Sequence, residues 1–179
     1  MTTILLTRRR MFDALARVGD VLARDGVVAD VHIVGGAVMV MEYDARDATA
    51  DIDAFAYEPH GAVERAVAAV AKDMDLPRSW LNQQASAFVP RAADWCRSRS
   101  FDHPNLHVYA IAPEQLLAMK VRAGRPTDAE DIKILCGLLS IATVDEAEEM
   151  TQRAFPGDAV PARGLALVRD VLSGDYDAT

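Results

Sequence analysis

The stretch from Val31 to Phe55 constrains this chain most, because signals for strand, turn, helix and second strand follow one another there directly. Val31, Ile33 and Val34 form a β-branched run, and Gly35-Gly36 ends it with two residues that carry no Cβ. Ala37 to Tyr43 is apolar and predicts a helix of about two turns opening at those glycines. After a connector that contains Arg46 and Thr49, Asp51-Ile52-Asp53 begins the next strand. Alternation sends residues i and i+2 of a strand to one face. Both carboxylates therefore point one way, while Ile52, Ala54 and Ala56 point the other.

Two neighbouring carboxylates repel each other, and a divalent cation removes that repulsion by taking oxygens from both. Mg²⁺ binds through one or two carboxylates together with substrate phosphates and water. The helix start after Gly35-Gly36 offers unpaired N–H groups to a phosphate, and glycine lets the phosphate come close to the backbone. An anion site and a cation site in one such unit predict a pocket for a metal and a nucleotide.

In this order, Gly35-Gly36 and then Arg46-x-x-Thr49-x-Asp51-Ile52-Asp53 resemble the signature of the DNA polymerase β-like nucleotidyltransferase superfamily. The likeness is greatest to its AbiE and MenT toxin branch and to related small bacterial nucleotidyltransferases. A second block, Pro113-Glu114-x-Leu116-Leu117-x-Met119-Lys120-x-x-Ala123-x-Arg125-x-x-Asp128-x-x-Asp131-Ile132, resembles that branch's downstream segment. Together the blocks span residues from roughly 30 to 135.

The resemblance implies an α/β (α+β) fold, with a small mixed sheet flanked by helices over 1–111 and a helical C-terminal part over 112–179. It implies that Asp51 and Asp53 coordinate Mg²⁺, or Mn²⁺, bound to an NTP substrate. Gly35, Gly36, Arg46, Thr49 and Lys120 form the implied nucleotide contacts, with Lys120 neutralising phosphate charge and Asp128 acting as base or completing the site. On residue type alone, Arg46 suits a triphosphate and a pairing with Asp44 or Asp47 equally, and the Thr49 hydroxyl suits a turn. Asp128 and Asp131 also lie where a helix start favours carboxylates whatever their use. Many superfamily members place a third carboxylate on a later strand, but Asn105 to Ile111 contains none.

The implied reaction moves an NMP from an NTP to an acceptor hydroxyl, on the tRNA 3′ end or on a protein. The implied setting is a toxin with a cognate antitoxin. The competing reading is a non-catalytic module that keeps the fold and binds a nucleotide or a partner, as an antitoxin or regulator. The missing strand carboxylate favours it, as does Gly-Gly where the wider family has Gly-Ser. Retention of Asp51, Asp53 and Lys120 opposes it, because a decayed site has no physical need for adjacent like charges.

Composition sets the remaining limits. At 179 residues the chain can bury a real core, and it has no apolar run long enough to span a membrane. Its apolar N-terminal stretch precedes Arg8-Arg9-Arg10, the reverse of a secretory signal. Cys96 and Cys136 show no pair spacing and suit reduced thiols, so the expected location is the cytoplasm. A net charge of −8 argues against a broad surface for gripping nucleic acid, leaving Arg8-Arg9-Arg10, which also reads as a solvated helix start, and Lys120, Arg122 and Arg125 as local basic candidates.

The other predicted elements are mostly scaffold. Thr7 caps a helix from Arg8 to Asp25 that Gly26 stops, and a second helix runs from Gly61 to Met74. Ser79 to Gln84 reads as a turn or short helix containing the polar Asn82, and Ala92 to Arg99 as another helix. His32, Trp80 and Trp95 read as packing residues rather than ligands or base platforms. Asn105 to Ile111 reads as a strand and Pro113 to Ala123 as a helix. Capping boxes at Thr127-Glu130 and Thr143-Glu146 open two more helices, and a last one spans Ala162 to Leu172.

Overall fold

The computed structural model describes residues 5–174 and Tyr176. Two compact units divide the chain. The first runs to Ala87 and takes in Trp95–Ile111, and the second comprises Phe88–Asp94 and the chain from Ala112 onward.

In the first unit, β1 (Leu6–Thr7) leads into α1 (Arg8–Arg24), β2 (Ala29–Val34) and α2 (Gly36–Met41). Next come β3 (Ala48–Thr49), β4 (Ile52–Glu58), α3 (His60–Asp73) and β5 (Leu81–Asn82). β6 (Trp95–Arg97) and β7 (Leu106–Ile111) complete it. Five strands form one mixed sheet in the order β5-β4-β2-β7-β6, and β1 pairs separately with β3. β2 is central, antiparallel to β4 and parallel to β7.

Alternation sorts the two faces of this sheet. Val31 and Ile33, Ile52 and Ala54, and Leu106, Val108 and Ala110 are buried, and they form one face with α1 packed on β7 and α3 on β4. Asp30, His32, Asp53, His107 and Tyr109 fall on the other face and are half-buried. One residue breaks the phase. His32 pairs with Ala56 and Ile33 with Ala54, which leaves Phe55 as an extra residue, a β-bulge. Ala56 therefore does not share the face of Ile52 and Ala54, as plain alternation predicts, and Tyr57 is buried in its place.

The predicted cap forms at Thr7, whose hydroxyl accepts from Arg10 N–H. The arginine run serves other helix ends: the Arg8 guanidinium donates to the Met41 carbonyl that closes α2, and Arg10 donates to that of Met74 after α3. Two predicted features differ. Residues 92–99 do not form a helix, since Trp95–Arg97 is an edge strand antiparallel to β7. Leu81–Asn82 is a short strand parallel to β4 rather than a turn or helix.

The second unit contains α4 (Pro113–Ala123), α5 (Ala129–Leu139), α6 (Val144–Ala154) and α7 (Ala162–Ser173). α4 packs against each of the other three. Gly164 on α7 approaches α4 so closely that a Cβ there would overlap the Val121 carbonyl oxygen. The Thr143-Glu146 capping box is complete. The Thr127-Glu130 box does not open α5: Pro126–Asp128 forms a 3-10 turn, and Asp128 becomes the N-cap. No helix among the described residues is long and apolar enough to cross a membrane.

Candidate active site

β2 ends at Val34, and Gly35 turns the chain with φ at 69°, where a side chain would be strained. The register then brings the carboxylates to that turn. Val34 pairs with Asp53, and a Cβ on Gly35 would stand 3.3 Å from Asp53 Oδ2. A Cβ on Gly36 would stand 2.9 Å from Thr49 Oγ1, closer than real contacts allow. The two glycines thus line a cradle whose other walls are Asp53 and Thr49.

Asp51 precedes β4, half-buried like Asp53. Its Oδ2 accepts a 3.0 Å hydrogen bond from Asn82 Nδ2. Asn82 also donates to the Ser79 carbonyl at 3.0 Å and accepts from Gln84 N–H at 2.8 Å, so its amide is fixed on three sides. Its strand β5 pairs Asn82 with Asp53. One asparagine therefore ties Asp51 to the strand beside Asp53. The resemblance marks Asn82, since the small branch members often carry an Asn or similar polar residue here, but it gives Asn82 no partner.

The helix that opens at the cradle is anchored at its far end. Glu42, just past α2, accepts from Ser98 Oγ, from Ser100 Oγ at 2.9 Å and from Arg99 N–H at 3.2 Å. Residues 37–41 are all buried, so α2 has little freedom to shift. Sequence reasoning missed Glu42 because its partners lie 56 to 58 positions away. Arg46 is half-buried on the connector between α2 and β3. The residues upstream of the carboxylate-free β7 have partners of their own: Asp102 pairs with Arg97 at 3.3 Å, and His103 with Asp20 at 3.5 Å.

Lys120 and Asp128 belong to the second unit, where the fold brings them together. Lys120 Nζ lies 2.7 Å from Asp128 Oδ1 and 2.6 Å from Asp131 Oδ2, and all three side chains are at most 10% exposed. This buried ion cluster joins α4 to the start of α5.

Among the described residues, no three or more His, Cys, Asp or Glu side chains are grouped to hold a metal ion. Asp53 is the carboxylate at the cradle, and Asp51 lies two residues before it, bonded to Asn82. That pair fits an ion arriving with phosphate oxygens, as Mg²⁺ does, rather than one held in an all-protein cage.

No curated protein and no solved structure matches the chain. A family model described as a nucleotidyltransferase of unknown function matches residues 9–155, which takes in the glycine turn, the Asp-x-Asp strand and the Lys120 block. The chain therefore belongs to that nucleotidyltransferase family, DUF6036.

Proposed function

We propose that the protein is a Mg²⁺- or Mn²⁺-dependent nucleotidyltransferase that moves an NMP from an NTP to an acceptor hydroxyl. One observation carries this reading: the Asp53 carboxylate packs against the Gly35 turn, with Asp51 tied through Asn82 to the neighbouring strand. Asp51 and Asp53 hold the metal. Bound there with the triphosphate, the ion would supply positive charge to offset that of the phosphate oxygens.

The chain's own residues supply position. Gly35 and Gly36 keep the cradle free of side chains, so phosphate oxygens reach backbone N–H groups. Asn82 holds Asp51 in one orientation, and the anchors at Glu42 and Arg8 hold α2. Arg46 and Thr49 contact the triphosphate. The acceptor oxygen bonds to the α-phosphorus, the bond to pyrophosphate breaks, and the hydroxyl proton passes to a base. Lys120 and Asp128 enter this reading through the family resemblance alone, as phosphate neutraliser and base. Such chemistry depends on orientation and preorganised charge rather than on covalent help.

The AbiE/MenT likeness supports the 3′ end of tRNA as acceptor and a toxin paired with a cognate antitoxin as setting. Incubation with each α-labelled NTP, Mg²⁺ and bulk tRNA tests it. Wild type incorporates label, and Asp51→Ala and Asp53→Ala do not. A second reading, a nucleotide- or partner-binding module without catalysis, is favoured by the absence of a carboxylate on β7. Metal-dependent nucleotide binding without transfer to any acceptor would select it.

A further inference from the structure

Four strands of the sheet bring one aromatic ring each to a single place. His32 on β2 stacks on Tyr109 of β7, its cross-strand partner, with centroids 4.9 Å apart and planes 13° from parallel. Trp95 of β6 meets His32 edge to face at 4.9 Å and stacks on Phe55 of β4 at 5.5 Å and 26°. Plain alternation puts Phe55 on the face of Asp53, away from the helix-covered face, and the β-bulge adds Ala56 beside it. Phe55 is 38% exposed.

Ring packing alone accounts for the contacts but not for His32. Neither of its ring nitrogens has a hydrogen-bond partner among the described residues. Burial holds its pKa below the ordinary histidine value, outweighing the opposing pull of Asp30, so at neutral pH the ring is uncharged. An uncharged imidazole presents one N–H donor and one acceptor. Stacking faces beside an unmatched donor and acceptor are the chemistry that receives a nucleobase.

We propose that this cluster, with Phe55 outermost and His32 supplying the polar contact, is the subsite for the base of the donor NTP. The inference rests on the nucleotide reading above and adds to it where the base lies. Position argues for the donor. Phe55 stands two residues beyond Asp53, about 7 Å along the strand, roughly the reach of the ribose that separates an α-phosphate from its base. A triphosphate at the cradle thus leaves its uncharged end toward the rings. Stacking is tolerant of base identity, so discrimination among NTPs falls to His32.

The test compares Mg–NTP with Mg–tripolyphosphate, which lacks ribose and base, on the intact protein. Wild type binds the nucleotide at least tenfold more tightly, and Phe55→Ala loses about tenfold for the nucleotide but nothing for tripolyphosphate. The chain has two tryptophans, and Trp80 is fully buried, so nucleotide but not tripolyphosphate quenches fluorescence from Trp95, and Trp95→Phe abolishes the response. If Phe55→Ala binds both ligands as wild type does and Trp95 fluorescence does not respond, the base lies elsewhere and the inference falls while the nucleotide reading stands. Weaker binding of single-stranded RNA with unchanged NTP affinity would overturn the donor assignment in favour of the acceptor. If wild type binds neither ligand, the nucleotide reading itself fails.

Discussion

Asn82 is the residue on which the geometry of the carboxylate pair most depends. Its amide donates to Asp51 and is itself fixed by Ser79 and Gln84, so truncation frees the Asp51 carboxylate to reorient. Hydrogen bonds to charged groups contribute about 1.5–3 kcal/mol. Asn82→Ala is therefore expected to raise the Mg²⁺ concentration needed for NTP binding about tenfold, measured by titration at fixed nucleotide. An unchanged requirement would reduce Asn82 to a loop fastener. The cysteines allow a simpler check. Cys136 is buried with its thiol pushed up to about 11 by desolvation, whereas Cys96 is exposed. A raised pKa leaves less thiolate, about one part in a thousand at pH 8. A maleimide should add once to the native protein and a second time only after denaturation, and two rapid additions would contradict the burial. Asp53 was legible on the face opposite Ile52 and Ala54 because alternation is a local property, whereas Asp51 falls one residue before β4. The tie from Asn82 to Asp51 was not legible, because its two ends lie 31 positions apart.

Elements were legible where the signal is local and lost where it is not. The Thr7 cap and the Thr143-Glu146 box sit at helix starts as read, because a cap is completed within its own turn. Trp95–Arg97 became a strand through pairing with β7, which nothing in residues 92–99 encodes. At Thr127-Glu130, Pro126 opened a 3-10 turn and moved the helix start past the threonine. Two glycines test the second unit's packing. Gly164→Ala forces a methyl into the Val121 carbonyl of α4 and should lower the melting midpoint by several degrees. Gly137, inside α5 with open space around its Cβ position, should stabilise by about 0.5–1 kcal/mol when replaced by alanine. Equal effects of the two would refute the close crossing of α4 and α7. The cluster that joins α4 to α5 carries a larger expectation. Lys120→Ala strands two buried carboxylates and should cost about 3–5 kcal/mol in urea unfolding, with Asp131→Asn in the same chain recovering part of the loss. An unchanged midpoint would leave Lys120 no structural role in its unit.

At the scale of the whole molecule, the fold class implied by the resemblance holds: a mixed sheet with helices around it and a helical C-terminal part. Strand order β5-β4-β2-β7-β6 was not legible, since every pairing in it joins segments that periodicity treats independently. Membership of a nucleotidyltransferase family agrees with the order of the two sequence blocks. What links family to chemistry is the cradle, where the Asp53 carboxylate stands against a turn that tolerates no side chain. Its direct test is the melting midpoint with each NTP, with and without Mg²⁺. A ligand at about 100 times its Kd adds about 2.7 kcal/mol, which for a chain of this size is a rise of roughly 5–10 °C. The expected result is a rise that requires metal and nucleotide together and vanishes in Asp53→Ala. A rise of the same size without metal, or in Asp53→Ala, would contradict the account.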